Sequence, residues 1–419
     1  MRDMGRSDDP RVQKQLDRLS GLSIQRDTLG LDAVRVLLDR LGNPHKRLPP
    51  VFHVAGTNGK GSTCAFLRAM LEADGHTVHV TTSPHLVRYN ERFRIAGKLI
   101  EDARLAELLE EVFDAAEGLG CSFFEITIAA AFVEFARVPA DACVVEVGLG
   151  GRLDATNVME PDVLAACGIA ALGIDHEKFL LAPEEGVPDD PMARIAFEKA
   201  GIAKAGVPLT AMASQYSDGV LKQLRKSAHA SAAPLVEMQV GEEFNLTSSA
   251  LSLRGEHQLQ NAALAAAMIR AQDKIEISED AIEAGLTRAY WPARMQLLSP
   301  GPLTGNRTVW LDGGHNPSAG ETIAAEFEGR PCHLIIGMLE AKEPQAIVGP
   351  LGASIRSITA IPIAGYDCHT ASAFSDQAKS ADTLAEALLN LPNDDYPVLI
   401  AGSLYLAGEV LRANDEIPE

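Results

Sequence analysis

In VFHVAGTNGKGST (51–63) an apolar run leads into glycines at 56, 59 and 61, with Lys60 between the last two and hydroxyls at Ser62 and Thr63. Glycines let a backbone turn tightly and aim several N–H groups at one point, and a helix start just behind adds its own positive end. Thr57, Asn58, Gly59, Lys60, Gly61 and Ser62 therefore form a candidate phosphate cradle, with the Ser62 and Thr63 hydroxyls available to a magnesium ion. The plainer alternative is a tight β-to-α turn. The spacing departs from G-x-x-x-x-G-K-[ST], because Gly61 separates Lys60 from Ser62, which disfavours an ordinary kinase or switch GTPase. Glu146 closes the apolar run ACVVE ahead of a second Gly-rich loop. Magnesium takes oxygen ligands and sits between carboxylates and phosphate oxygens, so Glu146 is a candidate ligand. On their own, Ser83 before Pro84 reads as a turn residue, His176 as a loop histidine and Lys199 as a solvated helical lysine.

The elements that would position these residues alternate in period. Leu31, Val34, Leu38 and Leu41 recur at helical spacing and stop at Gly42-Asn43-Pro44. Strands are expected at 51–55, 77–82, 142–148, 162–169, 207–212, 308–314, 332–338, 357–363 and 396–402, with helical stretches between most of them. Repeated β-then-α units predict an α/β fold of parallel sheets with helices on both faces. A Pro-, Gly- and Ser-rich seam at 291–306 separates a P-loop parallel-sheet domain, residues 1–296, from a smaller Rossmann-like α/β domain, residues 297–419. Ligands of such folds sit beyond the C-terminal ends of strands, where the Gly-rich loops fall.

Composition narrows the classes. Of 419 residues, 46% are apolar and 22% charged, an ordinary globular balance. With 37 basic against 57 acidic residues, the net charge of −20 argues against a general nucleic-acid or anionic-membrane binder. The six cysteines lie mostly in apolar contexts without a C-x-x-C pair, which predicts buried free thiols in a reducing compartment. The amino-terminal stretch lacks a signal-like apolar run, and no run reaches the roughly 18 residues of a transmembrane helix. A cytoplasmic protein is expected.

The longer motifs are more specific. AGTNGKGS, TTSPHLVRYNERFRIAGKLI (81–100), FFE (123–125), VVEVGLGGRLDATN (144–157), IDH (174–176), FEKAGI (197–202), HQLQNAALA (257–265), WPARMQ (291–296), LDGGHNP (311–317), GML (337–339) and GSLYLAGEV (402–410) follow in that order. Together they resemble the bacterial dihydrofolate synthase/folylpolyglutamate synthase family, relatives of the Mur ligases. The resemblance implies an ATP-dependent amide ligase that joins L-glutamate to dihydropteroate, extends tetrahydrofolate with further glutamates, or does both. A carboxylate and an amine do not condense in water unaided. ATP can activate the carboxylate as an acyl phosphate, which needs positioned phosphates, metal charge neutralisation and a site for the amine.

The resemblance also assigns residues. It makes Lys60 and the amides of Thr57–Gly61 the holders of the β- and γ-phosphates, and Lys60, Glu146, His176 and Lys199 the catalytic set. Ser83, Glu146 and His176 become magnesium ligands or near-ligands, and Lys199 a carbamate-bearing lysine that supplies an oxygen to a second metal. Asn261, Arg294, Asp312 and His315 become further ATP contacts gathered from across the seam, with closure excluding water from the acyl phosphate. Ser122, Phe123, Phe124, Glu125, Leu153, Asp154 and Ala155 match segments that line a pterin slot, and Arg92 could face a substrate carboxylate. Two magnesium sites, a monovalent cation and a monomer are family expectations, with glutamate bound by the C-terminal domain.

Three departures stand out: EKFLLAPEEGVPDDPMARIAFEKAG after IDH instead of Thr/Asp-Trp-Leu-Gly, Gly314 where alanine is common, and Ala293 where glycine is common. Rival readings are a Mur-type ligase on a UDP-muramoyl substrate, a P-loop nucleotide kinase, and a non-catalytic nucleotide switch. The TSPHL and GLGGRLDATN blocks disfavour the first, and the second nucleotide-facing motif the kinase.

Overall fold

The computed structural model describes residues 7–22, 30–212, 216–239 and 250–419; of the amino-terminal stretch read above, residues 1–6 lie outside them. The chain divides into two compact units, one of Met1–Ser252 with Gln258–Tyr290, the other of Leu253–His257 with Trp291–Glu419.

The first unit is built on an eight-stranded sheet. In chain order its strands are β1 (Val51–Ala55), β2 (Val78–Thr81), β3 (Arg94–Ile95), β4 (Lys98–Leu99), β5 (Ala142–Glu146), β6 (Leu164–Ile169), β7 (Leu209–Met212) and β8 (Leu235–Met238), arranged β4-β3-β2-β5-β1-β6-β7-β8. All neighbours are parallel except β2–β3 and β3–β4. Every residue of β1, β2, β5, β6 and β7 is buried, as continuous apolar runs covered on both faces require. The helix Phe123–Arg137 is likewise apolar nearly all round and buried along most of its length.

Register decides where the chemistry falls. Val54 of β1 pairs with Glu146 of β5, Ala55 with Ile169 of β6, and Thr81 of β2 with Val145. Parallel strands in this register end on one edge of the sheet. The 56–60 loop, Glu146, Ser83 and the 170–173 segment therefore emerge beside one another.

The second unit holds a six-stranded sheet: β9 (Gln296–Leu297), β10 (Val309–Leu311), β11 (Cys332–Ile336), β12 (Ile355–Ala360), β13 (Lys379–Ser380) and β14 (Val398–Ala401), in the order β13-β12-β11-β14-β10-β9. Only β9 runs antiparallel to its neighbour. Here the helix Pro317–Phe327 packs on the helix Gln345–Leu351 through Gly320, where an added Cβ would lie 1.8 Å from the Ala346 carbonyl oxygen. A backbone atom cannot give way as a side chain can. Gly320→Ala is expected to destabilise this unit by about 3 kcal/mol, as overpacking of a close contact does. Chemical denaturation checks it; a loss under about 1 kcal/mol would mean that the two helices separate easily.

The predicted α/β class of parallel sheets is the class observed, and each of the nine strand expectations has a strand within it or overlapping it. Strands β3, β4, β8, β9 and β13 carried no such signal; they are short or lie toward sheet edges. All six cysteines are unpaired, five buried and Cys368 half-buried. No helix among the described residues is long and apolar enough to cross a membrane.

Candidate functional site

The phosphate-loop candidate runs from the end of β1 into the helix Lys60–Ala73. Gly59 has φ +82°, and a Cβ there would meet Asn261 Oδ1 at 2.2 Å, so both backbone and space demand glycine. Asn261 is thereby held against the loop; it is buried and donates to Gln258 Oε1 at 2.9 Å. The Thr57 and Asn58 amides both donate to the Ala171 carbonyl, at 2.8 and 3.1 Å, and Thr57 Oγ1 donates to Gly173 O at 2.8 Å. These bonds tie the loop to the segment after β6 and narrow the expected row of phosphate donors. The first-turn amides of Lys60, Gly61 and Ser62 have no intrahelical acceptor by construction and point out of the helix start. Lys60 Nζ folds back over its own loop, 3.1 Å from Gly56 O and 3.3 Å from Thr57 O.

Glu146, at the end of β5, is 4% exposed, and its Oε2 accepts the Ser83 amide at 3.0 Å. Ser83 and Glu146 thus meet through backbone and carboxylate. Lys199 is buried rather than solvated: 4% exposed near the end of the helix Pro191–Ala200, with Nζ 3.5 Å from Gly150 O. Burial pushes its amine down to about 7; the Lys60 charge acts in the same direction, and Asp175, Asp154 and Glu198 oppose it. Lys60, Lys199, Asp175 and Asp154 therefore share one electrostatic neighbourhood. His176 is left-handed at φ +53°, its imidazole is exposed, and its Nε2 lies 3.8 Å from the carboxylate of its neighbour Asp175. No group of three or more His, Cys, Asp or Glu side chains among the described residues is arranged to hold a metal by itself.

The residues expected to line a slot divide by task. Ser122 caps the helix Phe123–Arg137 in a reciprocal box: its amide and hydroxyl donate to Glu125 Oε2 at 2.7 and 2.8 Å, and the Glu125 amide donates back to Ser122 Oγ at 3.3 Å. Glu125 Oε1 is buried with no hydrogen-bond partner. Phe123 is core, edge-on to Tyr89 and 5.4 Å from the buried Arg92 guanidinium, so Arg92 packs between rings and donates to His85 Nδ1 at 2.9 Å. Phe124 lies on Gly148, where a Cβ would come within 2.3 Å of its ring, and both Phe124 and Leu153 are half-buried. Asp154 is buried and accepts from the Leu149 amide, the Thr156 amide and the Thr156 hydroxyl at 2.8, 3.0 and 2.5 Å. Burial raises its pKa and those bonds lower it. Ala155 is buried behind it.

In the second unit, Asp312 follows β10, fully enclosed, with Oδ2 accepting the Met295 amide at 2.8 Å and Oδ1 the Gly314 amide at 2.7 Å. Burial raises its pKa while the nearby Arg294 charge lowers it. Arg294 and His315 are half-buried, and His315 Nδ1 lies 3.1 Å from Gly313 O. Ala293 sits at φ +55°, a left-handed conformation that costs an L-residue roughly 1–2 kcal/mol and that glycine adopts freely. Gly314 is confined too: a Cβ there would lie 2.8 Å from Ala319 Cβ and 2.9 Å from Asp312 Oδ1.

Sequence reasoning passed over the cluster of Arg152, Glu184, Arg194 and Glu198, whose side chains interlock beside Lys199. The i,i+4 spacing of Arg194 and Glu198 was its one readable signal.

No protein-family model matches the chain. It is 33% identical to a Bacillus subtilis dihydrofolate synthase/folylpolyglutamate synthase, covering 91% of this chain and 94% of the relative. It is 32% identical to the Escherichia coli enzyme of the same name, covering 96% and 94%. Among solved structures, Escherichia coli FolC in complex with DHPP and ADP matches with a TM-score of 0.82 at 29% identity, covering 96% of this chain and 97% of that one. A bifunctional folylpolyglutamate synthase/dihydrofolate synthase with Mn, AMPPNP and L-glutamate bound matches with a TM-score of 0.80 at 28% identity, covering 96% and 97%. With that identity along nearly the whole of both chains, the protein belongs to the dihydrofolate synthase/folylpolyglutamate synthase family.

Proposed function

We propose that this chain is an ATP-dependent carboxylate–amine ligase that adds L-glutamate to dihydropteroate, to tetrahydrofolate and its polyglutamates, or to both. The observation that carries the reading is the gathering, along one edge of the first sheet, of helix-start amides, Lys60, Glu146 and a buried lysine. The family supplies the substrates.

The γ-phosphoryl group of ATP passes to the pterin substrate's carboxylate: a new O–P bond forms and the bond to the ADP oxygen breaks. The glutamate amine then attacks the acyl carbon, phosphate departs with the C–O electron pair, and the amine gives up a proton. The Lys60, Gly61 and Ser62 amides and Lys60 Nζ hold the phosphates. The Glu146 carboxylate and Ser83 hydroxyl would hold magnesium, which neutralises phosphate charge when bound. That donor set suits a hard cation completed by phosphate oxygens and water, which needs no cage of three protein ligands. Lys199 is kept largely neutral near pH 8 by burial, the form that can combine with carbon dioxide to give a carbamate and a proton. The carbamate and His176 would serve a second metal. Phe124 and Leu153 offer the pterin its apolar surface, with Ser122, Phe123, Glu125, Asp154 and Ala155 shaping the slot. Asn261, Arg294, Asp312 and His315 are assigned to the nucleotide, and residues 297–419 to glutamate. By family likeness the enzyme is a cytoplasmic monomer that takes a monovalent cation.

Dihydropteroate labelled with ¹⁸O in its carboxylate tests the route. One labelled oxygen per phosphate released is expected; unlabelled phosphate formed alongside amide would overturn the acyl phosphate.

A further inference from the structure

The stretch after His176 is the longest of the departures from the pattern, and the chemistry above gives residues 177–191 no task. Its anchor is a ring of alternating charge. Glu184 Oε2 accepts from Arg152 Nη2 at 2.6 Å and from Arg194 Nη2 at 2.8 Å; Glu198 Oε1 accepts from Arg152 Nη2 at 3.0 Å and is ion-paired with Arg194 Nη2 at 3.1 Å. Arg194 and Glu198 are 5% and 4% exposed, whereas Glu184, at 42%, closes the ring from the solvent side. An isolated exposed pair would contribute little, but here two buried charges depend on the arrangement. Arg194 Nε also donates to Leu180 O at 3.0 Å, and both guanidinium groups lie over the Phe197 ring.

The ring joins three segments: the loop carrying Arg152, the stretch from Asp175 to Glu184, and the helix that ends beside Lys199. The first and third are tied independently, since the Arg152 amide donates to Glu198 O at 2.7 Å and Asn157 Nδ2 bonds to both Arg152 O and Gly201 O. The middle one is held through Glu184, the Leu180 carbonyl and the buried Leu180 side chain against Gly150. From Leu180 it reaches back to His176, whose carbonyl accepts the Phe179 and Leu180 amides at 2.9 and 3.0 Å.

We propose that Glu184 and Arg194 are positioning residues: the clasp they form with Arg152 and Glu198 holds the Asp175–Glu184 segment, and with it Asp175 and His176, beside Lys199. Its catalytic consequence rests on the ligase reading; the clasp itself does not.

The test uses Glu184→Gln in the full chain, with Glu184→Gln/Arg194→Met as a second variant that leaves no uncompensated guanidinium. Native trypsin cleavage after the exposed Lys178 is expected to quicken about fivefold or more, as for a segment released from its anchor. In both variants kcat is expected to fall roughly tenfold with KM for ATP within about twofold, because the Lys60 loop is untouched. Unchanged cleavage overturns the clasp. Faster cleavage with wild-type kcat, or wild-type kcat restored in the double variant, overturns the positioning role. If the wild-type chain forms no amide, the ligase reading fails instead, and the cleavage comparison still decides for or against the clasp.

Discussion

Lys60→Ala is expected to lower amide-forming turnover by roughly 100- to 1,000-fold, the range seen when one preorganised donor to developing charge is removed. The lysine sits at the first position of its helix, and its ammonium is already folded over the loop by the Gly56 and Thr57 carbonyls. Little reorganisation is then needed when phosphate arrives. Alanine is well tolerated at a helix start, and Lys60 is only half-buried, so the melting temperature should change little. The loop conformation is fixed by other means: Gly59 at positive φ against Asn261, and the Thr57 and Asn58 amides on Ala171 O. Steady-state kinetics alongside thermal melting checks this. Turnover within about fivefold of wild type would remove Lys60 from the phosphate-handling role.

Lys199→Met separates function from folding more sharply. A lysine that is 4% exposed and has a single 3.5 Å bond to Gly150 O is poorly compensated, so a similar-sized apolar chain should fold at least as well. On the proposed reading, in which a carbamate on Lys199 gives an oxygen to a second metal, turnover should nevertheless fall about 100-fold or more. The pH dependence carries the same signature. Carbamate formation needs the neutral amine, and burial places its pKa at about 7, so wild-type activity should decline as pH falls through that value. Stability moves with pH for a related reason. Between about 7 and the ordinary 10.5, the unfolded chain holds the Lys199 proton and the folded chain does not. Folding therefore gains stability as pH rises through that window, and Lys199→Met should flatten the gain. Denaturation at several pH values, paired with kinetics, checks both parts. A variant that loses stability in step with activity would make Lys199 a structural residue.

What was legible in the sequence follows from how local the cause is. VFHVA, the glycines and Lys60 announce themselves because strand, turn and helix start are set by neighbours in the chain, and Glu146 is legible as the polar end of an apolar strand. Lys199 is the opposite case. Within PMARIAFEKA a lysine near the helix end reads by residue type as solvated, and its burial comes from the Gly150–Arg152 loop packing on it from elsewhere in the chain. The same distance hides the Ala171 carbonyl that takes the Thr57 and Asn58 amides, and the Glu184 carboxylate that bridges two arginines. Asp312 was readable as a turn former after a strand, but not as the acceptor that ties down Met295 as well as Gly314. Glu125 carried its capping role openly, as the fourth residue of Ser-x-x-Glu, though the family resemblance placed it in a slot.

The most direct measurement is mass identification of the products formed from ATP and L-glutamate with dihydropteroate, with tetrahydrofolate, and with neither, while phosphate release is followed. A product heavier by one glutamate residue, formed with stoichiometric phosphate only when a pterin acceptor is present, is the predicted result. Phosphate released equally without an acceptor, or no glutamate adduct with either pterin, would contradict the ligase account.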